Sequence, residues 1–335
     1  MAPIVAHRKS DMKPTLKIRA ALSGAYREAS AQLRQLRAGP DSPWRRRAPA
    51  GHMRGIDHYS PTQLTWVLAH AMRRYKAKFG RYPNLVQPAS FNDKVMWLKF
   101  FGELKVPESG NKLATETFIP PELRNRIRCP PVVWQSSEAK LPANHEIAPG
   151  VYYLKASHGS RMFERVTYPL DQGKRTALES KAAAWLARRH GWESGEWWYS
   201  VFTPQLMLDR SVTGETDSIS WNFYVLNGQV PMVGLFLKTS TGQEYSTWLD
   251  AEFRALPFQS TLPAVPRYEI GPQQQEMLDL ARDIARPFSA VRIDFFLGED
   301  QRIYLGELTF SPGNAMSRRP SEVDALLSAP WSELR

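Results

Sequence analysis

Cysteine is nearly absent: the 335 residues contain one, Cys129, which excludes an intrachain disulfide framework and suits a reducing cytosol. Cys129 precedes Pro130 and Pro131 with no companion histidine nearby, so the base that a thiol nucleophile needs is missing. No apolar run approaches the roughly 20 residues of a membrane-spanning helix, and the basic N-terminus lacks the apolar core of a secretory signal. There is no G-x-G-x-x-G, no Walker-type phosphate loop and no internal repeat. These absences leave a cytoplasmic globular protein, whose length and 42% hydrophobic content suffice for two or three packed subdomains.

The formal net charge of +11 is unevenly placed. Residues 1–54 hold twelve Lys/Arg against Asp11, Glu28 and Asp41, so most of the excess belongs to this segment and the body is nearly neutral. That distribution argues against a nucleic-acid enzyme, which carries its positive patch on the folded domain. We expect residues 1–54 to be a basic, largely disordered tail. Within it Leu22, Tyr26, Leu33 and Leu36 share one helical face, with Arg27, Arg34 and Arg37 outside it. Such a helix is either a solvated arm or a peripheral contact with the inner face of an anionic membrane.

Folded structure is expected from about Tyr59. Ser60 as cap, Pro61 in the first turn and Gly80 at the far end delimit a helix striped by Leu64, Leu68, Met72, Tyr75 and Phe79. A second helix follows Ser90, and a third covers Lys112–Phe118. Strand character begins at Val151–Lys155, followed by the small-residue turn Ser157-His158-Gly159-Ser160. A helix over 174–190 ends at Gly191. The aromatics Trp192, Trp197, Trp198 and Tyr199 either stack sugar rings or, as such clusters more often do, seal a hydrophobic seam. Strands at 205–208, 220–226 and 231–237 come next, with Asn227-Gly228 as a type I′ hairpin turn. A helix over 273–286 precedes a final hairpin, 291–297 and 302–310. Antiparallel strands with interposed helices make the fold class α+β.

In that hairpin Asp294 and Glu307 stand among Ile293, Phe295, Phe296, Leu305 and Leu308. A carboxylate in an apolar strand is costly to bury without a cation or donors. A four-residue loop places Leu297 opposite Arg302, Asp294 opposite Leu305 and Arg292 opposite Glu307. Both acids then point to one face as diagonal neighbours, about 7 Å apart, a spacing that lets them converge on Mg2+. The alternative is an Arg292–Glu307 ion pair with Asp294 capping nearby backbone. Upstream, Lys155 ends a strand before a small-residue turn, where a lysine and backbone N–H groups can meet phosphates; a simply solvated lysine is the alternative.

The order of motifs narrows these readings. Pro88-Ala89-Ser90-Phe91-Asn92-Asp93-Lys94-Val95-Met96-Trp97-Leu98-Lys99 resembles the N-terminal signature of the TupA-like ATP-grasp family, named after teichuronopeptide biosynthesis proteins. Leu154-Lys155-Ala156-Ser157-His158-Gly159-Ser160 resembles its "L-K-x-N-H-G-S-G" element, and Ser220–Gly228 its "D-Y-K-F-Y-C-F-N-G" strand. Val291-Arg292-Ile293-Asp294-Phe295, followed by Gly306-Glu307-Leu308-Thr309-Phe310-Ser311-Pro312-Gly313, is similar to "V-R-V-D … G-E-L-T-F-T-P-G". The likeness spans about residues 85–325.

The resemblance implies an ATP-grasp fold, in which two α+β subdomains enclose ATP: a helical N-terminal region at 55–145, a lid subdomain at 146–210 and a metal-binding subdomain at 211–325. It implies ATP and Mg2+ as cofactors. Lys155 would contact the phosphates, with Ser157, His158, Gly159 and Ser160 closing over them, and Asp209 would meet the adenosine end. Asp294 and Glu307 would hold Mg2+, with Asn314 as a third contact, and Arg292 would neutralise charge on the transferred phosphoryl group. Three departures from the family pattern stand out: Ser157 replaces asparagine and Arg161 the second glycine, Asp209 is a shorter acid than the usual glutamate, and Ser220 and Asn222 replace the acid and lysine of "D-Y-K". The last leaves a phosphate-side cation missing, for which Lys238 is a substitute and Asn222 the residue in place. The function implied is a carboxylate–amine ligase of cell-envelope polysaccharide or peptide-polymer assembly, taking nucleotide plus a carboxylate, amine or glycan acceptor. The alternatives are a glycosyltransferase-like biosynthesis protein and a degenerate nucleotide-binding scaffold.

Overall fold

The computed structural model describes residues 16–258 and 261–334, with side chains from residue 23 onward. The elements in chain order are α1 (Leu16–Ala38), β1 (His52–Met53), α2 (Gly55–His58), α3 (Pro61–Phe79), α4 (Phe91–Phe101), β2 (Leu104–Lys105), β3 (Ile127–Arg128), β4 (Val132–Ser136), β5 (Gly150–Ala156) and β6 (Phe163–Tyr168). There follow α5 (Gln172–Ala187), β7 (Leu206–Arg210), β8 (Ser218–Leu226), β9 (Gln229–Lys238), β10 (Glu244–Leu249), α6 (Pro272–Ala285), β11 (Ala290–Leu297), β12 (Ile303–Thr309) and α7 (Ser321–Ser328). The chain is α+β, as expected.

Capping chemistry sets the helices. Ser60 and Gln63 form a reciprocal capping box at the start of α3, and Gly80 closes it in the left-handed conformation at φ 76°. Ser90 Oγ accepts from Asp93 N to start α4. The stretch Lys112–Phe118 is a 3-10 helix rather than the expected α-helix, held by Asn111, whose side chain accepts from Leu113 N.

A six-stranded sheet has the order β10-β9-β8-β11-β12-β3, and a four-stranded sheet the order β4-β7-β5-β6. Only β12–β3 pairs in parallel among the described strands of these sheets. Asn227 and Gly228, at φ 46° and 77°, turn β8 into β9 as a hairpin with both central residues left-handed. The strands alternate as amphipathic strands must. Trp221, Phe223, Val225, Val291, Ile293 and Phe295 pack on one face of the large sheet with Met277, Leu280 and Ile284 of α6. On the other face Tyr224, Leu226, Met232 and Ala290 share a core cluster with residues of α1, α3, α4 and α7. The smaller sheet packs Leu154, Val166 and Leu208 against Trp185 of α5.

The N-terminal segment differs from its expectation. Leu16–Ala38 is a helix seated on the core, not a disordered arm, and its buried face is Ala25, Ala29, Gln32 and Leu36. Tyr26, assigned to the apolar face, is 42% exposed. Small residues decide this: Ala25 and Ala29 permit close approach, and Gln32 clips the loop ahead of α4, donating to Pro83 O at 2.9 Å and accepting from Leu85 N at 2.8 Å. Leu22's side chain and residues 1–15 lie outside the described residues. The boundary expected at 146 also moves, because β4 lies within 55–145 yet pairs with β7 of the four-stranded sheet.

Candidate functional site

The two sheets face each other across a cleft of about 950 Å3. One wall comes from the four-stranded sheet. Tyr153 and Lys155 of β5 line the cleft, alternating with Tyr152 and Leu154 in the core, and Met207 and Asp209 of β7 line it, alternating with Leu206 and Leu208 in the core. The other wall is the helix-covered face of the large sheet where its cover ends. Toward Tyr224 and Leu226 that face is apolar; beyond Asn222 it carries Asp294, Glu307 and Ser220.

The register of the β11–β12 hairpin corrects the expectation. Leu297 pairs with Ile303 and Phe295 with Leu305, after which a bulge at Gly306 brings Asp294 opposite Glu307 and Arg292 opposite Thr309. The loop is one residue longer than expected, and the bulge adds another. Each single shift would exchange the faces of the strand; together they restore the common face and make the acids direct partners rather than diagonal ones. A bulge needs room here, since a Cβ on Gly306 would stand 2.4 Å from the Phe296 ring.

Asp209, Asp294 and Glu307 each hold one cation. Lys155 Nζ donates to Asp209 Oδ2 at 2.6 Å. Arg292 grips Asp294 with two bonds, Nε to Oδ1 at 2.7 Å and an Nη to Oδ2 at 2.6 Å. Lys112 Nζ donates to Glu307 Oε1 at 3.0 Å and to the Gly159 carbonyl at 2.7 Å. Arg292 therefore pairs with its own-strand neighbour Asp294, and the Arg292–Glu307 pair is replaced by Lys112–Glu307. Burial raises the Asp294 carboxyl above its ordinary pKa against the opposing pull of Arg292. Burial also opposes ionisation of Glu307, but the Lys112 ammonium, then Arg292, holds that carboxyl below its ordinary value.

The remaining positions separate. Ser160 lines the cleft beside Arg161, whereas Ser157 and His158 are buried beneath it. Ser157 Oγ accepts from Gln205 N at 2.9 Å, and His158 Nε2 sits 3.0 Å from Arg188 O, so both shape the turn from behind. Gly159, at φ 82°, lies against His190, where a Cβ would come within 2.4 Å of the ring. Lys238 reaches the cleft's rim and pairs with Glu244 at 3.2 Å, with more than half of its side chain exposed. Asn314 is half-buried in a 3-10 turn outside the lining of the cleft, and its amide oxygen accepts from the buried Lys99 ammonium, so it does not join Asp294 and Glu307. Among the aromatics, Trp197 and Trp198 are core residues, while Trp192 is exposed and packs on Trp66 with ring centres 5.2 Å apart. Burial pushes the Cys129 thiol up to about 12, far from a nucleophile's range.

Two cationic groups escaped the sequence reading. Lys112 sits in a segment read as structural helix, and Lys99 ends the "W-L-K" signature without an assigned role. The only signal for either was position: Lys112 opens a capped segment ahead of the strand that carries Lys155.

The acidic pair suits Mg2+. Directly opposed residues have Cβ atoms about 4.5–5.5 Å apart, and Mg2+ takes one or two carboxylates with phosphate oxygens and water. No group of three or more His, Cys, Asp or Glu side chains forms a metal cage among the described residues. Opposite Asp294 on β8, the buried Asn222 Oδ1 has no hydrogen-bond partner, and neither has Asp209 Oδ1 across the cleft. Unpaired buried acceptors are rare unless a ligand or water satisfies them.

Solved structures with a similar arrangement include the ATP-grasp ligase PsnB complexed with minimal precursor, at 14% identity and TM-score 0.37 over 66% of this chain and 59% of that one. D-alanyl-alanine synthetase A from Vibrio cholerae O1 biovar eltor is 16% identical, with TM-score 0.38 over 68% of this chain and 66% of that one. An L-amino acid ligase from Bacillus licheniformis is 12% identical, with TM-score 0.35 over 62% and 44%. The alignment thus spans less than two thirds of PsnB. No curated protein matches the sequence significantly. A model of the family described as TupA-like ATPgrasp matches residues 159–331, more than half of the chain, which therefore belongs to the TupA-like ATP-grasp family.

Proposed function

We propose that the chain is an ATP- and Mg2+-dependent ligase that activates a carboxylate as an acyl phosphate for attack by an amine, in the assembly of a cell-envelope polymer or its precursor. The observation that carries this reading is the opposition of Asp294 and Glu307 across β11 and β12, facing Lys155 and Asp209 over one cleft. Asp294 and Glu307 would hold Mg2+, which when bound screens the phosphate charge and polarises the transferred group. Lys155 binds phosphate, Asp209 orients Lys155 and faces the nucleoside, and Arg292 stabilises charge on the transferred phosphoryl group. Such a reaction needs positioned cations more than a nucleophilic side chain, and Cys129 is unsuited to act as one.

Titration with a non-hydrolysable ATP analogue, with and without Mg2+, tests the reading. Mg2+-dependent binding to the wild type that is lost in Asp294→Asn is expected, and in a separate assay ATP itself should give ADP with a pool of amino acids or glycans as acceptor. Binding unaffected by Mg2+ and by Asp294→Asn would overturn it. One observation, Asn222 in place of a lysine, favours a second reading, a nucleotide-binding scaffold; it predicts Mg2+-dependent binding with no ADP released on any acceptor. No described helix is long and apolar enough to cross a membrane. Peripheral contact through residues 1–54 is a separate proposal, which fails if their deletion leaves vesicle co-sedimentation unchanged.

A further inference from the structure

The cores take up Trp197, Trp198, Trp221 and Trp331, none of them more than 2% exposed. Trp66 of α3 and Trp192 of the 3-10 turn Trp192–Ser194 are different: they are 39% and 42% exposed. They are also neighbours, with ring centres 5.2 Å apart and planes inclined at 52°. One exposed aromatic is ordinary, but two side by side in water form a patch that asks for a partner. Both rings are held firmly. His70, one helical turn beyond Trp66, packs on its ring with centres 4.0 Å apart. Trp192 follows Gly191 and precedes Gly195, both left-handed at φ 76° and 78°. Ser194 Oγ ties that turn to Gly191 O at 3.1 Å and to the buried Glu196 carboxylate at 2.8 Å.

Polar groups frame the two rings. Trp66, His70 and Arg73 share one face of α3, spaced four and three residues apart. His70 Nε2 and Arg73 Nε are buried there without hydrogen-bond partners, and the exposed Arg74 and Glu193 act electrostatically on His70. We propose that Trp66 and Trp192 form a carbohydrate-binding platform, on which a pyranose ring of a glycan stacks while its hydroxyls meet Arg73, Arg74 and Glu193. The C–H groups on a pyranose face carry partial positive charge and are drawn to the negative face of an indole. Vicinal hydroxyls suit a guanidinium and a carboxylate, which donate and accept two bonds in parallel. Size selects this occupant over a protein. The two rings together expose about 200 Å2, well short of the roughly 800 Å2 per partner in a stable protein interface. Glu193 beside the rings disfavours an anionic lipid surface. Trp192 lies two residues, at most about 7 Å of chain, beyond His190, which packs against Gly159 of the turn at the cleft. The platform therefore stands beside that turn. It needs no nucleotide and is independent of the ligase reading.

The test is an NMR titration of the 15N-labelled wild type with cellotetraose, chitotetraose and tetragalacturonic acid, without nucleotide. At least one should shift the indole N–H signals of Trp66 and Trp192 and leave those of Trp197 and Trp198 in place. Trp192→Ala should weaken that binding by about 10- to 100-fold, the loss expected when an indole face of roughly 100 Å2 is removed. Trp192→Phe should recover most of it, because a smaller aromatic face remains. Mg2+–AMPPNP binding should be the same in Trp192→Ala as in the wild type, which separates a lost platform from a lost fold. Three results overturn the proposal: no saccharide moves the two exposed indoles, binding is equal in Trp192→Ala, or the variant loses only self-association or vesicle binding. The last would mark a protein or membrane contact instead. The wild-type shifts decide the matter even where the variant does not fold, and a wild type that binds no Mg2+–AMPPNP refutes the ligase reading alone.

Discussion

Gly306 has no side chain, and the register of the acidic pair depends on that. Its bulge brings Glu307 opposite Asp294, and it is tolerated because nothing projects toward the Phe296 ring. Gly306→Val would force ring and strand apart, and overpacking of this kind costs about 1–3 kcal/mol. A lowered denaturation midpoint together with weakened Mg2+-dependent nucleotide binding is the expected outcome; a stable variant with unchanged binding would mean that the bulge does not set the pair. Asp294, Glu307 and Lys155 were legible in the sequence because charged residues inside or at the end of apolar strands stand out. Their register was legible only in parity, since a five-residue loop and a bulge leave no mark in a hydrophobic pattern. Lys112 was not legible at all: its partner Glu307 is 195 residues away, and a lysine opening a polar helical turn is indistinguishable from a solvated one.

At the scale of elements, α3, α4, the β8–β9 hairpin and the β11–β12 pair were readable from caps, turn residues and periodicity. The short strands β1, β2 and β3 were not, because two residues carry no period. The face of α1 was misread because its contact is made by alanines and a glutamine rather than by its largest apolar residues. A buried lysine joins two further elements. Lys99 of α4 is 1% exposed, donates to Asn314 in the 3-10 turn after β12, and lies within the field of Glu196. Desolvation lowers its pKa from 10.5 to about 8. Between those values the unfolded chain binds more protons than the folded one, so stability rises with pH over that window and the penalty is fully present below it. Urea melts from pH 7.5 upward should show the wild type gaining on Lys99→Met, by roughly 3 kcal/mol at the top of the window. A constant difference would indicate that Lys99 titrates normally.

Across the whole molecule, the stretch matched by the family model and the lining of the cleft are not coextensive. The family match begins at residue 159, yet β4, β5 and Lys112 precede it, and with them half of one cleft wall. The helical layer joins the two ends of the described chain. Ala25, Ala29 and Leu36 of α1 share a core cluster with Leu327 of α7 and with Trp331. Between these ends, Asn92 Nδ2 donates to Ser317 O, and Lys94 Nζ to Ser328 O, both at 2.8 Å. Local opening follows contiguous packed units. Amide hydrogens in Leu16–Ala38 and Ser321–Ser328 should therefore exchange in a common event, and Leu327→Ala should speed both; acceleration confined to α7 would show that the two open separately. The first and last described helices thus share one apolar layer over the Tyr224–Leu226 end of the large sheet, so the two termini of the described chain are fastened to the same face that, further along the strands, carries the carboxylate pair.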